Sequence, residues 1–507
     1  MKDKTTNKTI AKNTLVLYFR MLLTVIVSLY TSREVLHVLG VDDYGIYNVV
    51  GGIVMLFTFI NSGMIASSQR FIAFELGKGD LKRQTNAFST SFYIHGLISV
   101  LIFILAIPLG LIFIHYYMNI SSDRIYAADI VCISTVLSLC VNILAVPYTA
   151  TIIAHEKMNI YAWVSIADSI LRLLIVLLLY LLSGDKLIIY SILIVSIGVV
   201  DFLCYYRYAK VNFIECVLHK PEYRRQIKEM LSFAGWSFFG NFSLSAKDYG
   251  VNILVNLFGS VAINAARGLS YQAMSAINGF VSNFQMAFNP QIIKRYASGD
   301  RESMTKLVAS SSKLSFVLLS LIVVPFSLRA DYVMQLWLHE VPEYTIIFLQ
   351  LAFLMGLVNC MAGPIVVGIQ ATGKIRNFQI LISSIMLMDI PVSYILLKNG
   401  YPIYSVMYVA IATSIVGLIT RIILYCNYLV VGKLRLVRDL FLLNPIAFLI
   451  IYISCQFLFN FIPDSFGGLC VCVLISTLIN ASVSYLIILD STERLFVQNI
   501  LLKIFKK

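Results

Sequence analysis

Of 507 residues, 59% are apolar and only 13% charged, with a mean hydropathy of +0.84, more apolar side chain than the surface of a water-soluble protein accommodates. The net charge of +13 invites a nucleic-acid reading, but the Lys and Arg sit in short segments between apolar runs, with no nucleic-acid-reading module around them, and read instead as positive-inside topology signals. The nine cysteines lie mostly within apolar runs, and the close pair Cys470 and Cys472 lacks a metal-ligand spacing, so neither a disulfide framework nor a metal site is expected.

Crossing ~30 Å of hydrocarbon takes ~20 apolar residues, and runs of that length recur along the whole chain. The first dozen residues are polar and lysine-rich, and Arg20 interrupts the apolar run after them, so no cleavable signal is expected. Spans are predicted near 13–36, 44–66, 88–114, 126–149, 160–182, 187–206, 233–257, 262–288, 307–327, 344–368, 376–397, 403–429, 437–461 and 467–489. The fold class is therefore an all-α polytopic membrane protein with about fourteen transmembrane helices. With the amino terminus inside, 28 Lys and Arg fall in one set of connections and five in the other. That asymmetry places both termini in the cytoplasm.

The basic connection Arg207–Lys228 divides the chain, and the part after it resembles the opening part. Leu39-Gly40 closes span 1 and Phe258-Gly259 closes span 7, a shift of 219; Gly79-Asp80 and Gly299-Asp300 are 220 apart. Gly ending one helix and Asp capping the next accounts for the dipeptide locally, while the near-equal offset of the two landmarks points to a repeat. Six spans per unit give two parallel repeats. The expected organisation is an N-terminal lobe at 1–226, a C-terminal lobe at 227–432, and spans 13–14 with a tail at 433–507.

Ionisable groups at membrane depth cost at least about 2.5 kcal/mol, so their placement carries information. In span 8, Asn264, Arg267, Tyr271, Ser275, Asn278, Ser282 and Gln285 follow the three-and-four spacing of one helix face. Span 7 carries Asn241, Ser245, Asp248, Asn252 and Asn256, with Lys247 beside them. Arg20 lies on the polar face of span 1, and Asn48 of span 2 falls at the repeat position of Arg267. Small and polar residues also glue membrane helices together, which accounts for the Ser, Thr and Gly positions. The cations Arg20, Lys247 and Arg267 exceed the nearby acids, so a water-filled cavity between the lobes is expected to receive an anion, and guanidinium suits phosphate. Substrate contacts are expected from Arg20, Asn48, Asn241, Lys247, Asp248, Asn264, Arg267, Tyr271 and Asn278. Asp168 and Arg172, four apart, could neutralise one another; alternatively Asp168, Asp248 and Asp389 serve ion coupling. The six His are scattered, and no catalytic motif, phosphate loop or nucleotide-binding domain is visible, so neither catalysis nor a cofactor is expected.

The segment Leu39-Gly40-Val41-Asp42-Asp43-Tyr44-Gly45-Ile46-Tyr47 resembles the junction between the first two helices of polysaccharide transporters in the multidrug/oligosaccharidyl-lipid/polysaccharide flippase superfamily. Asn289-Pro290-Gln291-Ile292-Ile293 through Gly299-Asp300 is similar to the stretch after their eighth helix. The resemblance implies two six-helix lobes around a central cavity, alternating access, and Wzx-type flipping of an undecaprenyl-pyrophosphate-linked oligosaccharide, such as an O-antigen unit of lipopolysaccharide. It implies a bacterial inner-membrane location and, as partners, that lipid-linked substrate, membrane lipids and glycan polymerase or assembly proteins. Relatives that flip peptidoglycan precursor carry cavity arginines on helices 1, 2 and 8; Arg20 and Arg267 match two of these, and Asn48 does not match the third. The rival readings are a multidrug antiporter, which would place acids where Arg20 stands, and a membrane glycan polymerase or ligase, which would need a large external loop.

Overall fold

The structure, a computed structural model, describes residues 2–117, 120–220, 223–259, 261–338, 341–430, 434–491, 493–495 and 498; the side chains of 2–12, 51–62 and some scattered positions, Asn48 among them, lie outside that description. A backbone in hydrocarbon must satisfy its hydrogen bonds within its own segment, and the described residues form helices and no strand. In order these are α1 (Lys2–Lys78), α2 (Leu81–Tyr117), α3 (Ile125–Ala154), α4 (Met158–Leu178), α5 (Lys186–Asn212), α6 (Arg224–Phe258), α7 (Val261–Ala297) and α8 (Arg301–Leu328). Next come α9 (Ala330–Trp337), α10 (Thr345–Ala371), α11 (Arg376–Leu387), α12 (Asp389–Lys398), α13 (Ser405–Leu429), α14 (Leu434–Val437), α15 (Asn444–Phe459) and α16 (Phe466–Val483). Wide π-helical turns at Arg438–Leu443 and Ser484–Ile488 lead into α15 and end α16.

Two expected spans run together as α1, broken at Gly40, whose φ of 79° and ψ of 172° lie outside helical geometry and are open to glycine. Eleven helical stretches are long and apolar enough to cross a membrane. Three further stretches remain: the part of α1 beyond Gly40, which runs over residues whose side chains lie outside the description, and α6 and α7, which fall short in apolar content. The last two carry the Asn, Ser and Gln stripes read from the sequence, which lower their apolar content. With these three the transmembrane helices number about fourteen.

The chain divides into two compact units: residues 1–242 with 293–299, and residues 243–292 with 300–507. In the first, α3 packs against α1, α2 and α5, and α4 packs against α5. In the second, α10 packs against α8 and α13, and α11 and α12 pack against α13. Under the repeat, α2, α3, α4 and α5 correspond to α8, α10, α11–α12 and α13, so the two units use the same pairing order. The repeated Gly-Asp dipeptides also adopt one conformation. Gly79 and Gly299 have φ of 77° and 82°, and the next Asp caps its helix, Asp80 accepting from Arg83 N at 3.3 Å and Asp300 from Ser303 N at 3.1 Å.

The first unit is tied at both ends. Where the Gly40 kink lies, Arg124 pairs with Asp43 and, at 2.6 Å, with Asp185, which also caps α5. Toward the termini, Glu156 pairs with Lys294 at 2.6 Å, Asn13 donates to the Glu156 carbonyl, and His155 stacks on Phe213. His155 Nε2 lies 2.5 Å from Glu215; burial alone would raise that carboxyl, but the imidazole and a backbone N–H hold it below its ordinary value. Residues 293–299 of α7 dock here, with Tyr296 against Phe74. A Cβ on Gly77 would stand 2.8 Å from Ala297 Cβ and 2.9 Å from Lys294 Cα.

In the second unit, α15 and α16 are fixed to α8 at three levels. Arg329, capping the end of α8, reaches Asp464 at 2.5 Å and the carbonyls of Phe459 and Ile462. Asn480 donates to Ser320 at 2.7 Å. Lys313, 2% exposed, meets Glu493 at 2.9 Å and the Ile488 carbonyl at 3.3 Å, with Asp439 at 3.9 Å. Val324, Ile451, Cys455 and Cys472 fill the interface between these levels.

Gly77→Val should lower the melting temperature of the purified protein, because the clash is with backbone and a short side chain that cannot move aside; an unchanged melt would show that the contact yields. Lys313→Met leaves the Glu493 carboxylate without its cation, while Asp439 keeps Arg438, and should cost about 3–5 kcal/mol in SDS-driven unfolding, with part of the loss recovered in Lys313→Met/Glu493→Gln.

Candidate substrate-binding site

Each unit carries its own group of polar residues at membrane depth. In the second unit, α6 places Lys247 and Asp248 next to one another, and the Lys247 ammonium lies 3.0 Å from Asp248 and 3.7 Å from Asp389, the first residue of α12. Asp389 is 1% exposed, and the Thr413 hydroxyl of α13 faces its carboxylate. Lys247 therefore sits between two acids, one of them 142 positions away in the sequence. Close approach at this level is helped by Gly250, where a Cβ would lie 2.5 Å from Ile390 Cδ1.

On α7, one face carries Asn264, Arg267 and Tyr271, as the spacing predicts. Arg267, 4% exposed, donates to Asn252 of α6 and, at 3.3 Å, to the Tyr271 hydroxyl, while its guanidinium lies over the Tyr271 ring at 4.5 Å. The Tyr271 hydroxyl in turn contacts Met407 sulfur at 3.7 Å. These partners satisfy donors and lie against the guanidinium, but none of them supplies a counter-charge. The Asn264 Oδ1 beside it is buried without a hydrogen-bond partner. Asn278 lies further along α7, half-buried. The Arg267 and Lys247 groups thus share α6, one around a cation with neutral partners, the other around a cation already paired.

In the first unit, Arg20 donates to Ser165 of α4 at 3.4 Å and lies 4.9 Å over the Tyr161 ring. One turn beyond Ser165, Asp168 holds Arg172 through both carboxylate oxygens at 2.9 Å, and Asp201 of α5 faces Asp168. Arg172 also lines a cavity of about 190 Å³ with Thr31, Tyr44, Tyr47, Ser169 and Tyr190. Tyr47 and Tyr190 meet edge to face at 5.1 Å. Sequence reading missed this cavity: Tyr47 lies on one side of the Gly40 kink and Tyr190 on α5, and only the fold joins them. Aromatic walls with a few convergent polar groups are the usual make-up of a small-molecule pocket. Asn241, half-buried on α6, falls in the first unit, and Asn48 lies outside the described side chains. Among the described residues no group of three His, Cys, Asp or Glu could hold a metal ion.

Residues 8–290 match the family model described as polysaccharide biosynthesis protein. No curated protein matches the chain. Several solved structures share the fold. One is described as a crystal structure of MATE in complex with MaD3S, with a TM-score of 0.72 and 14% identity over 83% of this chain and 97% of that one. Another is an outward-facing conformation of a multidrug resistance MATE family transporter of the MOP superfamily, at 0.72 and 14% over 84% and 96%. A third, from Pyrococcus furiosus, is a MOP superfamily transporter described as having a binding pocket of reverse polarity that suggests a different function, at 0.67 and 14% over 84% and 96%. At such identities the likeness establishes the fold alone.

If Asn252 serves to satisfy Arg267, then Asn252→Leu should cost about 1–3 kcal/mol by leaving a buried donor unmade. Combining it with Arg267→Met should restore most of that loss, and a double-mutant cycle of unfolding in SDS measures the coupling; additive losses would mean the two residues act separately.

Proposed function

The chain belongs to the polysaccharide biosynthesis protein family, within the superfamily of multidrug, oligosaccharidyl-lipid and polysaccharide flippases, and from that premise we propose that it flips a lipid-linked oligosaccharide across the bacterial inner membrane. The cargo is a pyrophosphate-linked repeat unit of a surface polysaccharide such as O-antigen, taken from the cytoplasmic leaflet and released in the outer leaflet by alternating access. Both termini lie in the cytoplasm in this reading, as the 28-to-five distribution of Lys and Arg supports.

The observation that carries the proposal is the state of Arg267. It is buried, hydrogen-bonded by Asn252 and Tyr271, and faced by no carboxylate that pairs with it among the described residues. A fixed guanidinium with neutral partners favours a ligand with anionic oxygens and disfavours the cationic drugs of an antiporter. Arg20, over the Tyr161 ring and hydrogen-bonded to Ser165, places a second guanidinium in the first unit. The aromatic cavity at Tyr44, Tyr47 and Tyr190 offers flat apolar faces and hydroxyls to a sugar ring, and so suits the glycan part of the same head group. The Lys247–Asp248–Asp389 group and the Asp168–Asp201 pair are the candidates for ion coupling, since each holds carboxylates close enough for one charge to affect the next. The reaction moves the cargo without making or breaking a covalent bond, so the protein acts as a transporter and needs no cofactor.

Arg267→Ala should reduce surface-glycan export at least tenfold while the protein still inserts and reaches wild-type membrane levels by immunoblot. Completed lipid-linked glycan should collect on the cytoplasmic leaflet, read with a sidedness probe. Normal export by that variant would overturn the assignment.

A further inference from the structure

Five Lys and Arg side chains among the described residues are buried: Arg70, Lys247, Arg267, Lys313 and Arg421. Four have evident compensation. Arg70 stacks on Phe71 and Phe74, Lys247 and Lys313 each meet two acids, and Arg267 has Asn252 and Tyr271. Arg421 of α13 has none. It is 6% exposed, and its Nε and Nη1 are both buried without a hydrogen-bond partner. Nη1 lies 2.9 Å from where a Cβ on Gly417 would stand, so the guanidinium rests along a bare stretch of its own helix and any side chain there would displace it.

Its neighbours on α13 give the site a direction. Thr413, Gly417, Arg421 and Tyr425 succeed one another four residues apart, along one side of the helix. Thr413 faces Asp389, the partner of Lys247, and Tyr425 at the other end touches the Thr305 hydroxyl at 3.2 Å. Arg421 lies eight residues from each of Thr413 and the end of α13, ~12 Å of helix in either direction. The second unit thus holds a further cation displaced along α13 from the Lys247–Asp389 group.

A buried charge with no partner is expensive, and an apolar residue of similar volume would be at least as stable in its place. We propose that Arg421 is an anion-binding residue whose partner is a phosphate oxygen supplied from outside the chain, giving the second unit a phosphate contact separate from Arg267. The proposal rests on the flippase reading only for the source of that phosphate: either the pyrophosphate of the cargo or the headgroup of an anionic phospholipid.

The test uses the purified full chain in phosphatidylcholine nanodiscs, with inorganic pyrophosphate as the probe and the thermal unfolding midpoint as the readout. Pyrophosphate should raise the midpoint of the wild type. Arg421→Met should weaken its apparent affinity at least tenfold while leaving the midpoint without pyrophosphate unchanged or higher, and Arg421→Lys should retain part of the affinity. In a second arm, phosphatidylglycerol replaces part of the phosphatidylcholine and pyrophosphate is left out; stabilisation of the wild type but not of Arg421→Met assigns the phosphate to membrane lipid. Two results would overturn the proposal: Arg421→Met responding to both probes as the wild type does, or its midpoint falling without either, which would make Arg421 a packing residue. Neither arm reads transport, so a failed flippase assignment and a failed anion site give different results.

Discussion

Lipid tails offer no hydrogen bond and no counter-charge, so a polar side chain taken into the bilayer must be met by other groups of the protein or by something the protein binds. The charged helices of this chain meet that requirement to different degrees. Lys313 is enclosed by Glu493, Asp439 and a carbonyl, which makes it part of the packing. Lys247 has two carboxylates at 3.0 and 3.7 Å, an arrangement whose balance changes if either acid takes a proton. Among the described residues, Arg267 has hydrogen bonds but no neutralising charge, and Arg421 has neither. The less completely the chain answers a cation, the more room it leaves for an external anion, and this graded compensation separates structural cations from those that serve a ligand.

Much of the architecture was legible because its causes are local. Apolar runs of bilayer length become helices; Gly followed by Asp ends one and caps the next, and Gly79-Asp80 and Gly299-Asp300 do so with nearly the same φ. The polar stripe of span 8 was legible for the same reason, since Arg267 and Tyr271 meet across a single turn of one helix. Composition misleads at these very helices. By apolar content α6 and α7 are poor membrane helices, and several of the residues that lower it, Lys247, Asp248, Asn252, Asn264 and Arg267, are gathered at the candidate site.

The remainder depended on distance along the chain. Nothing near Lys247 announces Asp389, and nothing near Lys313 announces Glu493; each pairing exists only once separate helices are packed. The same is true of the cavity joining Tyr47 to Tyr190, and of Arg421, which reads in sequence as one more cation within a span and gains significance only from what does not surround it. The short helix α9 and the π-helical turns flanking α15 and α16 also escaped, since their apolar pattern differs little from that of the spans beside them.

The attachment of Glu493 to Lys313 has a consequence in time. The two are 180 residues apart, and at a synthesis rate of about 5–20 residues per second Glu493 is made on the order of ten to forty seconds after Lys313. Until Asp439 and then Glu493 are made, α8 enters the membrane with its ammonium unmatched, and α15 and α16 follow only after Asp439. The second unit therefore passes through a stage in which one of its central helices is poorly suited to lipid, when a chaperone, an insertase or a quality-control protease has its clearest opportunity to act. Arrival of the last helices closes that stage.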